Sequence, residues 1–289
     1  MKKLINNFKY FLQFLIISFL LILFKLFGLK ISRLISKRIL SSLGPFFRSK
    51  KIIMTNINYV FPNENENFKK KIINEMWDTY GKILAEYNFI KYFRTVKIEN
   101  IEIEGQIELE KIKSSNQPVI FVSGHFDNFE LMAMHLEKSG MDLATVYRPL
   151  NNYFLNPIME NIRKKYICKK QIKKGISGTK DLLKLFKSGT SIALMIDQRV
   201  SEGIRCKFFG KEALTTTIPA QFVKKFNCKI VPIYIERKKD NNFNLKIFEP
   251  LNISQNDTVE KITLDLNFLL EKMILSNPGQ WIWTHNRWK

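Results

Sequence analysis

Pro118-Val-Ile-Phe-Val-Ser-Gly-His-Phe-Asp-Asn-Phe-Glu130 is the stretch of this sequence that determines the predicted fold. The apolar run from Val119 to Val122, entered from a proline, predicts a short buried strand. A serine and a glycine then interrupt the pattern, and apolar residues at helical spacing predict a helix from Asn128. His125 is therefore expected just beyond the carboxyl end of a strand, where open α/β sheets place their ligand-binding and catalytic residues.

Glu130 follows His125 at a spacing that lets an intervening turn bring its carboxylate back to the imidazole. A neutral imidazole can remove a proton from a hydroxyl at neutral pH. A carboxylate on the other ring nitrogen fixes the tautomer and stabilises the imidazolium that forms. A histidine in a polar turn beside an acid at a helix start is the competing interpretation, and spacing alone does not exclude it.

Two more predicted strands, over residues 142–146 and 191–196, also end in polar residues. These residues are Tyr147, Arg148, Asp197 and Gln198. The guanidinium of Arg148 suits a phosphate or a carboxylate, and a surface arginine beside a proline turn is an equally good interpretation. Alternating strands and helices predict an α/β fold with a mixed central sheet flanked by helices.

Charge and cysteine content narrow the function classes. The 289-residue chain has a formal net charge of +21, and residues 1–63 contain Lys and Arg but no Asp or Glu. Such an excess favours nucleic acid, an anionic membrane or an acidic protein as a partner. The three cysteines lie far apart in the sequence, so we predict no metal site and no cofactor, and a reducing compartment.

The N-terminal segment predicts a membrane anchor. An apolar run from Tyr10 to Leu29 is interrupted by Lys25, and twenty helical residues just cross a hydrocarbon core of about 30 Å. No alanine precedes Ala85, so we expect an uncleaved anchor that spans the membrane or lies in its interface. Leucines, isoleucines and bases alternate over residues 31–43, which predicts an interfacial helix on an anionic, cytoplasmic leaflet. We predict an anchor and interfacial helix over residues 1–51 and a globular domain over 52–289, and the apolar run disfavours nucleic acid as a partner.

Four segments together resemble one family. Gly124-His-Phe-Asp-Asn-Phe-Glu130 resembles the H-x4-D/E motif of glycerolipid acyltransferases, and most closely that of the late acyltransferases of lipid A biosynthesis. The other three segments are Val146-Tyr-Arg-Pro-Leu150, Met195-Ile-Asp-Gln198 with Phe208-Phe-Gly210, and Pro278-Gly-Gln-Trp-Ile-Trp-Thr-His-Asn-Arg-Trp-Lys289. They keep the family's order. The chain departs from the commonest motif form at Asp127 and Phe129, where that form has Gly and Trp.

The resemblance implies a glycerolipid acyltransferase-like fold and acyl transfer from an acyl carrier protein thioester. The acceptor would be a hydroxyl of a lipid A precursor of the Kdo-lipid IVA type, at the cytoplasmic face of the bacterial inner membrane. His125 would act as the general base and Glu130 would orient it. The implied substrate-binding or supporting residues are Asn128, Tyr147, Arg148, Asp197 and Gln198. A lipid phosphate or the acidic carrier could dock on the basic run from Arg163 to Lys174.

Three alternatives remain from the sequence. The same chemistry could act on another acceptor, such as a lysophospholipid, a glycolipid or an aminolipid. The dyad could instead activate water, which would make the protein a hydrolase or thioesterase. A membrane-bound phosphate or nucleic-acid binder without catalytic activity would need only the basic N-terminal segment.

Two further segments bear on the frame of the site. Residues 199–210 are predicted to form a loop over the site, with Phe208 and Phe209 as an apolar wall. The aromatic C-terminal segment either packs on the core or lies at a membrane interface.

Overall fold

The computed structural model describes residues 2–95 and 101–289. Within these residues a seven-stranded sheet and a separate two-stranded hairpin are surrounded by helices. The strands are β1 (Ile101–Glu104), β2 (Ile120–Ser123), β3 (Leu143–Tyr147), β4 (Lys170–Lys173), β5 (Ser191–Met195), β6 (Ile204–Phe208), β7 (Lys211–Thr215), β8 (Ile230–Arg237) and β9 (Phe243–Ile247). The helices are α1 (Lys2–Phe47), α2 (Lys50–Val60), α3 (Glu66–Tyr87), α4 (Ile90–Thr95), α5 (Gln106–Ser114), α6 (Glu130–Lys138), α7 (Asn156–Ile162), α8 (Ile176–Lys187), α9 (Ile218–Phe226) and α10 (Val259–Ser276).

The large sheet has the order β1-β9-β8-β2-β5-β3-β4. Neighbouring strands are parallel except β8 and β9, which are antiparallel. All four residues of the central strand β2 are buried, as its apolar run predicts for a parallel strand covered on both faces. The predicted mixed sheet flanked by helices is thus confirmed, and the carboxyl ends of β2, β3 and β5 lie side by side at one edge.

The predicted loop over residues 199–210 is wrong in part, because residues 204–208 form strand β6 and pair with β7. Phe209 and Gly210 alone connect the two strands, and both have positive φ, of 51° and 71°. This is the backbone of a tight hairpin turn, and a phenylalanine at its first position hides the turn from sequence patterns. The side chain of Phe208 is fully buried, so it belongs to the core.

Helix α1 has a break at Gly28, where φ is 73° and ψ is 169°. Only glycine adopts this backbone conformation readily. The Ser32 hydroxyl hydrogen bonds to the carbonyl oxygens of Phe24 at 2.8 Å and of Gly28 at 2.7 Å, which satisfies acceptors near the break. The break separates the apolar segment of α1 from its basic segment. In the sequence only the difference in charge separates these two segments.

The basic half of α1 packs closely on α3. A Cβ at Gly81 would lie 2.5 Å from the Cα of Lys37, so glycine permits the two backbones to approach. Arg33 Nε donates to Glu86 Oε1 at 2.6 Å, and the Ser41 hydroxyl donates to Asp78 at 2.8 Å. The boundary at residue 51 stays a prediction, and this half of the helix is a structural part of the globular body.

The apolar half of α1 also has one face against the globular body. The amide of Asn152 donates to the Tyr10 carbonyl at 2.9 Å, and the amide of Asn88 donates to the Leu21 carbonyl at 2.7 Å. The opposite face exposes large apolar side chains: Phe8, Leu12, Phe19, Ile22 and Leu26. The segment Ile5–Phe47 has a mean hydropathy of 2.4 in its most apolar window, of which 6% is buried, so by length and composition it can enter a membrane.

Replacing Gly81 by alanine should separate α1 from α3, because the new methyl group overlaps the Lys37 backbone. Overpacking of this kind costs about 1–3 kcal/mol. We expect a lower melting temperature and faster proteolysis within α1. Lys70→Ala, at an exposed position of α3, is the matched control and should change neither. A Gly81→Ala variant as stable and as protease-resistant as the wild type would contradict this packing.

Candidate active site

The predicted polar residues meet around one cavity of about 530 Å³ at the carboxyl edge of the sheet. His125, Glu130, Tyr147, Arg148 and Gln198 line it. Asp197 and Asn128 are buried and lie outside this lining. The sheet topology explains the convergence, because parallel strands deliver the residues that follow them to the same edge.

Asp197 is the carboxylate that holds His125. The distance from His125 Nδ1 to Asp197 Oδ1 is 2.7 Å, and Asp197 Oδ2 accepts the His125 backbone N–H at 2.9 Å. The indole N–H of Trp281 donates to the same Oδ2 at 2.9 Å. A carboxylate can only accept here, so Nδ1 carries the proton and Nε2 keeps its lone pair. The imidazole is therefore fixed in the tautomer that a general base requires.

The ionisation of Asp197 follows from these contacts. Burial alone would raise the pKa of its carboxyl group, but the charge and hydrogen bonds of His125 and the bond from Trp281 lower that pKa to about 2. The carboxylate therefore remains negative at neutral pH, ready to stabilise an imidazolium.

Because the pKa of Asp197 falls from 3.8 to about 2 on folding, its ionisation stabilises the fold above pH 3.8. This contribution, roughly 2 kcal/mol, is lost as the pH falls through the folded-state pKa. We expect the stability advantage of the wild type over Asp197→Asn to shrink by this amount between about pH 4 and pH 2, measured by denaturant unfolding. An advantage independent of pH over this range would contradict the lowered pKa.

The direct pairing of Glu130 with His125 is not what the structure contains. Glu130 Oε1 accepts Arg163 Nε at 2.8 Å and Nη2 at 2.6 Å, and it also accepts the hydroxyl of Tyr87. Among the residues that the structure describes, no hydrogen bond joins Glu130 to His125. The reason is geometric: Asp197, at the end of the neighbouring strand, already holds the imidazole through two hydrogen bonds. Glu130 instead fixes the guanidinium of Arg163, which also lines the cavity.

Glu130→Ala should lower the free energy of unfolding by about 3–5 kcal/mol, because it leaves the largely buried guanidinium of Arg163 without its counter-charge. Chemical denaturation measures this change. Glu110→Ala is the control, since its ion pair with Lys113 is exposed and should contribute less than about 1 kcal/mol. Equal effects of the two substitutions would contradict the role of Glu130 as the partner of Arg163.

A buried ion network supports the turn that carries His125. Arg237 donates to Glu86 Oε1 at 2.6 Å and to Asp127 Oδ1 at 2.5 Å. The amide of Asn128 donates to Glu86 at 2.8 Å, so Asn128 supports the turn from behind. Burial favours neutral Glu86, but the charge of Arg237, with Arg33, keeps the pKa of Glu86 below its usual value. Sequence reasoning missed this network because its members are distant along the chain.

The C-terminal segment packs on the core at its first two tryptophans. Trp281 and Trp283 are buried, and Trp281 forms a β-bridge with Phe126. His285 Nε2 accepts the backbone N–H of Arg199 at 3.0 Å, and burial lowers the pKa of His285, which favours this neutral acceptor form. The segment thus closes the site from behind and supplies the second donor to Asp197 Oδ2.

The cavity combines an apolar interior with a basic rim. The apolar lining includes Phe121, Met132, Leu136, Leu182 and Ile233. The basic lining includes Arg48, Arg148, Arg163, Lys173 and Lys174. Desolvation and the hydrogen bond to Glu160 raise the pKa of Tyr147 to about 12, so its hydroxyl remains a donor. Such a cavity suits an amphiphile with an apolar chain and an anionic group.

No cluster of three or more His, Cys, Asp or Glu residues in the described parts of the chain has the geometry of a metal site. Cys168 and Cys206 are buried and Cys228 is partly buried, and all three are free thiols.

The family profile of the bacterial lipid A biosynthesis acyltransferases matches residues 1–289, the whole chain. The chain belongs to this family. The resemblance of its motifs is thereby confirmed, and the cavity around His125 is the candidate active site of a lipid A biosynthesis acyltransferase.

Two relatives from Escherichia coli K12 are distant in sequence. The Escherichia coli K12 lipid A biosynthesis lauroyltransferase is 24% identical over 249 residues, which cover 84% of this chain and 79% of the relative. The palmitoleoyltransferase of the same organism is 23% identical over 251 residues, covering 85% and 80%. A crystal structure of the 1-acyl-sn-glycerophosphate acyltransferase PlsC from Thermotoga maritima is similar with a TM-score of 0.42 and 15% identity, covering 86% of this chain and 98% of that one.

Proposed function

We propose that this lipid A acyltransferase moves a fatty acyl chain from an acyl carrier protein thioester to a lipid A precursor of the Kdo-lipid IVA type. The acceptor group is the hydroxyl of a 3-hydroxyacyl chain on the disaccharide. The observation that carries the proposal is the tautomer-fixed imidazole of His125 on an apolar cavity with a basic rim. The family supports acyl transfer in lipid A biosynthesis, and the donor and acceptor are our proposal.

In the proposed reaction, Nε2 of His125 takes the proton of the acceptor hydroxyl as its oxygen attacks the thioester carbonyl. The C–O bond forms, the C–S bond breaks, and the imidazolium returns its proton to the departing thiolate. Asp197 stabilises the imidazolium in between and is a positioning residue. General-base assistance of this kind contributes roughly 10²–10⁴-fold to a rate. No Ser or Cys nucleophile stands in a G-x-S-x-G frame beside His125, so direct transfer needs no covalent enzyme intermediate.

Glu130 has a different role in this mechanism from the one that its spacing predicts. It holds Arg163 at the wall of the cavity that would receive the substrate. In this proposal Asp197, and not Glu130, orients His125 as the general base. Tyr147, Arg148 and Gln198 contact the substrate from the cavity wall.

Two surfaces of the protein suit its proposed partners. One is basic and suits the acidic carrier, and the other is apolar and suits the membrane. The basic run beyond Arg163 leads to the cavity through Lys173 and Lys174 and should speed the encounter with an acidic carrier, with strong salt dependence. The exposed apolar face of α1, with bases around its break, suits the cytoplasmic leaflet of an anionic inner membrane. The aromatic contact of Phe154 with Phe11 brings the loop after β3 to the same apolar helix.

Mass spectrometry of a reconstituted reaction tests the proposal. The reaction contains the protein in membranes, a mixed pool of acyl carrier thioesters, and a tetra-acylated Kdo-bearing precursor beside a lysophospholipid. We expect a mass gain of one acyl chain on the lipid A precursor. A gain on the lysophospholipid alone would replace the proposed acceptor, and intact thioesters with both lipids unchanged would contradict the proposed donor.

A further inference from the structure

Three cations in the lining of the cavity have no salt-bridge partner among the residues that the structure describes. Arg48, Arg148 and Lys174, here called the cation triad, line the same cavity as His125. No salt bridge or side-chain hydrogen bond to any of the three occurs among residues 2–95 and 101–289. The two other bases of this lining differ, because Arg163 is bound to Glu130 and Lys173 lies 3.8 Å from Glu160.

The triad is drawn from three separate parts of the chain. Arg148 follows strand β3, and Lys174 follows strand β4, with its backbone N–H bound to the Tyr147 carbonyl at 2.9 Å. Arg48 comes from the connection between α1 and α2, just before Ser49 caps α2. A solvated surface lysine or arginine needs no explanation alone, but three unpaired cations from distant segments converge here on the candidate base.

Arg48 also marks a boundary between lipid and water. It directly follows Phe46 and Phe47, whose side chains are 84% and 76% exposed. Exposed phenylalanines suit a membrane interface, and an arginine directly after them suits the level of the lipid headgroups. This connection therefore presents two apolar side chains suited to a membrane interface, followed directly by an arginine that lines the cavity.

The charge balance of the cavity selects the ligand. The acid in its lining is Glu130, and its charge is already used by Arg163. Three positive charges thus have no paired acid in the described part of the chain, and the apolar walls of the cavity concentrate their field on a bound ligand. A phosphate group matches them best, because it carries up to two charges and accepts hydrogen bonds from forked guanidinium groups and from an ammonium.

We propose that the cation triad binds a phosphate group of the substrate, and that Arg48 is a specificity-determining residue for phosphate-bearing substrates. The inference rests on the proposed function. Two substrates can supply the group: a sugar phosphate of the lipid acceptor, or the phosphodiester of the pantetheine arm that carries the acyl chain. The chemistry of recognition is the same, and separate arms of the experiment distinguish the sources.

The experiment compares wild type with Arg48→Gln, Arg148→Gln and Lys174→Gln. Each is assayed with a phosphorylated or a dephosphorylated acceptor, and with an acyl carrier thioester or an acyl-N-acetylcysteamine that lacks phosphate. A charge-assisted contact corresponds to about a 10- to 100-fold loss of kcat/KM when it is removed. We expect Arg48→Gln to lose kcat/KM by this factor only with substrates that carry the recognised phosphate. The kcat/KM of the wild type should fall by a similar factor when that phosphate is removed from the substrate.

Controls separate charge from folding. Lys50→Gln, an exposed change two residues from Arg48 and outside the cavity lining, should leave all four kcat/KM values unchanged. Arg48→Lys should recover part of the loss, which a merely misfolded variant would not do. If Arg48→Gln loses no kcat/KM with the dephosphorylated acceptor, the site binds the phosphate of the lipid. If it loses none with the phosphate-free donor, the site binds the phosphate of the pantetheine arm.

Equal losses of Arg48→Gln in all four combinations, or no loss in any, would overturn the phosphate site while leaving acyl transfer intact. If the wild type transfers to no acceptor, the proposed function fails instead. Binding of each acceptor in nanodiscs without any donor still tests the triad in that case: we expect Arg48→Gln to weaken binding of the phosphorylated lipid alone. Equal binding by wild type and variant would overturn the site.

Discussion

Replacing His125 by alanine is expected to lower the rate of acyl transfer by about 10²–10⁴-fold without unfolding the protein. The side chain is partly exposed at the cavity, and its ring meets that of Phe129 at 4.8 Å between ring centres. Its loss therefore removes the base from Nε2 and leaves the walls in place. Transfer to the lipid acceptor is the quantity to measure, together with the melting temperature.

His135 provides the matched control for this substitution. It lies on α6, outside the cavity lining, where its ring contacts Ser139. His135→Ala should keep nearly full activity. An active His125→Ala enzyme, or equal losses in the two variants, would contradict the assignment of the base.

The second large effect is expected for Asp197→Asn, with a loss of up to about 10⁴-fold, the size seen when the orienting acid of a Ser-His-Asp triad becomes an amide. The position of Oδ2 accepts two N–H groups, from the His125 backbone and from Trp281, so the amide oxygen must take that place. The amide NH₂ then faces Nδ1 and donates to it. The imidazole proton moves to Nε2, which then cannot accept the proton of the substrate hydroxyl.

The contrast with Glu130→Gln makes this prediction specific. Glutamine keeps an acceptor for Arg163 and leaves the tautomer of His125 unchanged, so we expect a smaller loss of kcat than for Asp197→Asn. Activity assays on both variants, with a check that each is folded, decide the matter. Wild-type kcat in Asp197→Asn beside an inactive Glu130→Gln would restore the pairing that the sequence spacing predicts.

The sequence was sufficient to predict the edge of the sheet that holds the site. Apolar runs identify β2, β3 and β5, and the rule that parallel strands deliver their following residues to one edge brings His125, Arg148 and Gln198 together. The motif spacing nevertheless misidentified the partner of His125. Asp197 lies 72 residues away, and local spacing carries no information on such a contact.

The departures from the common family motif have physical explanations in the structure. Asp127 has a positive φ of 36°, a conformation that glycine adopts freely and that aspartate tolerates better than most residues. Its carboxylate is held by Arg237, which compensates for the buried charge. Phe129 presents a T-shaped contact to the imidazole where the common form has a larger indole.

Elements without strong local patterns escaped prediction. Strands β1 and β4 are edge strands of only four residues, the shortest length at which an alternating pattern such as Ile-Glu-Ile-Glu indicates a strand. The sequence could not decide whether the aromatic C-terminal segment packs on the core or lies at a membrane interface. In the structure Trp281 and Trp283 are buried in the core. The cation triad likewise joins Arg48 to two strand ends, and no sequence pattern links them.

The stoichiometry of the reaction tests whether His125 and Asp197 form an acyltransferase site. With purified protein, one acyl carrier thioester and the lipid A precursor, thiol release and acylated lipid are measured together. We expect one acylated lipid for each thiol released, with both processes lost in His125→Ala. Thiol release that continues without acylated lipid would show that water is the acceptor, and would contradict an acyltransferase site built on His125 and Asp197.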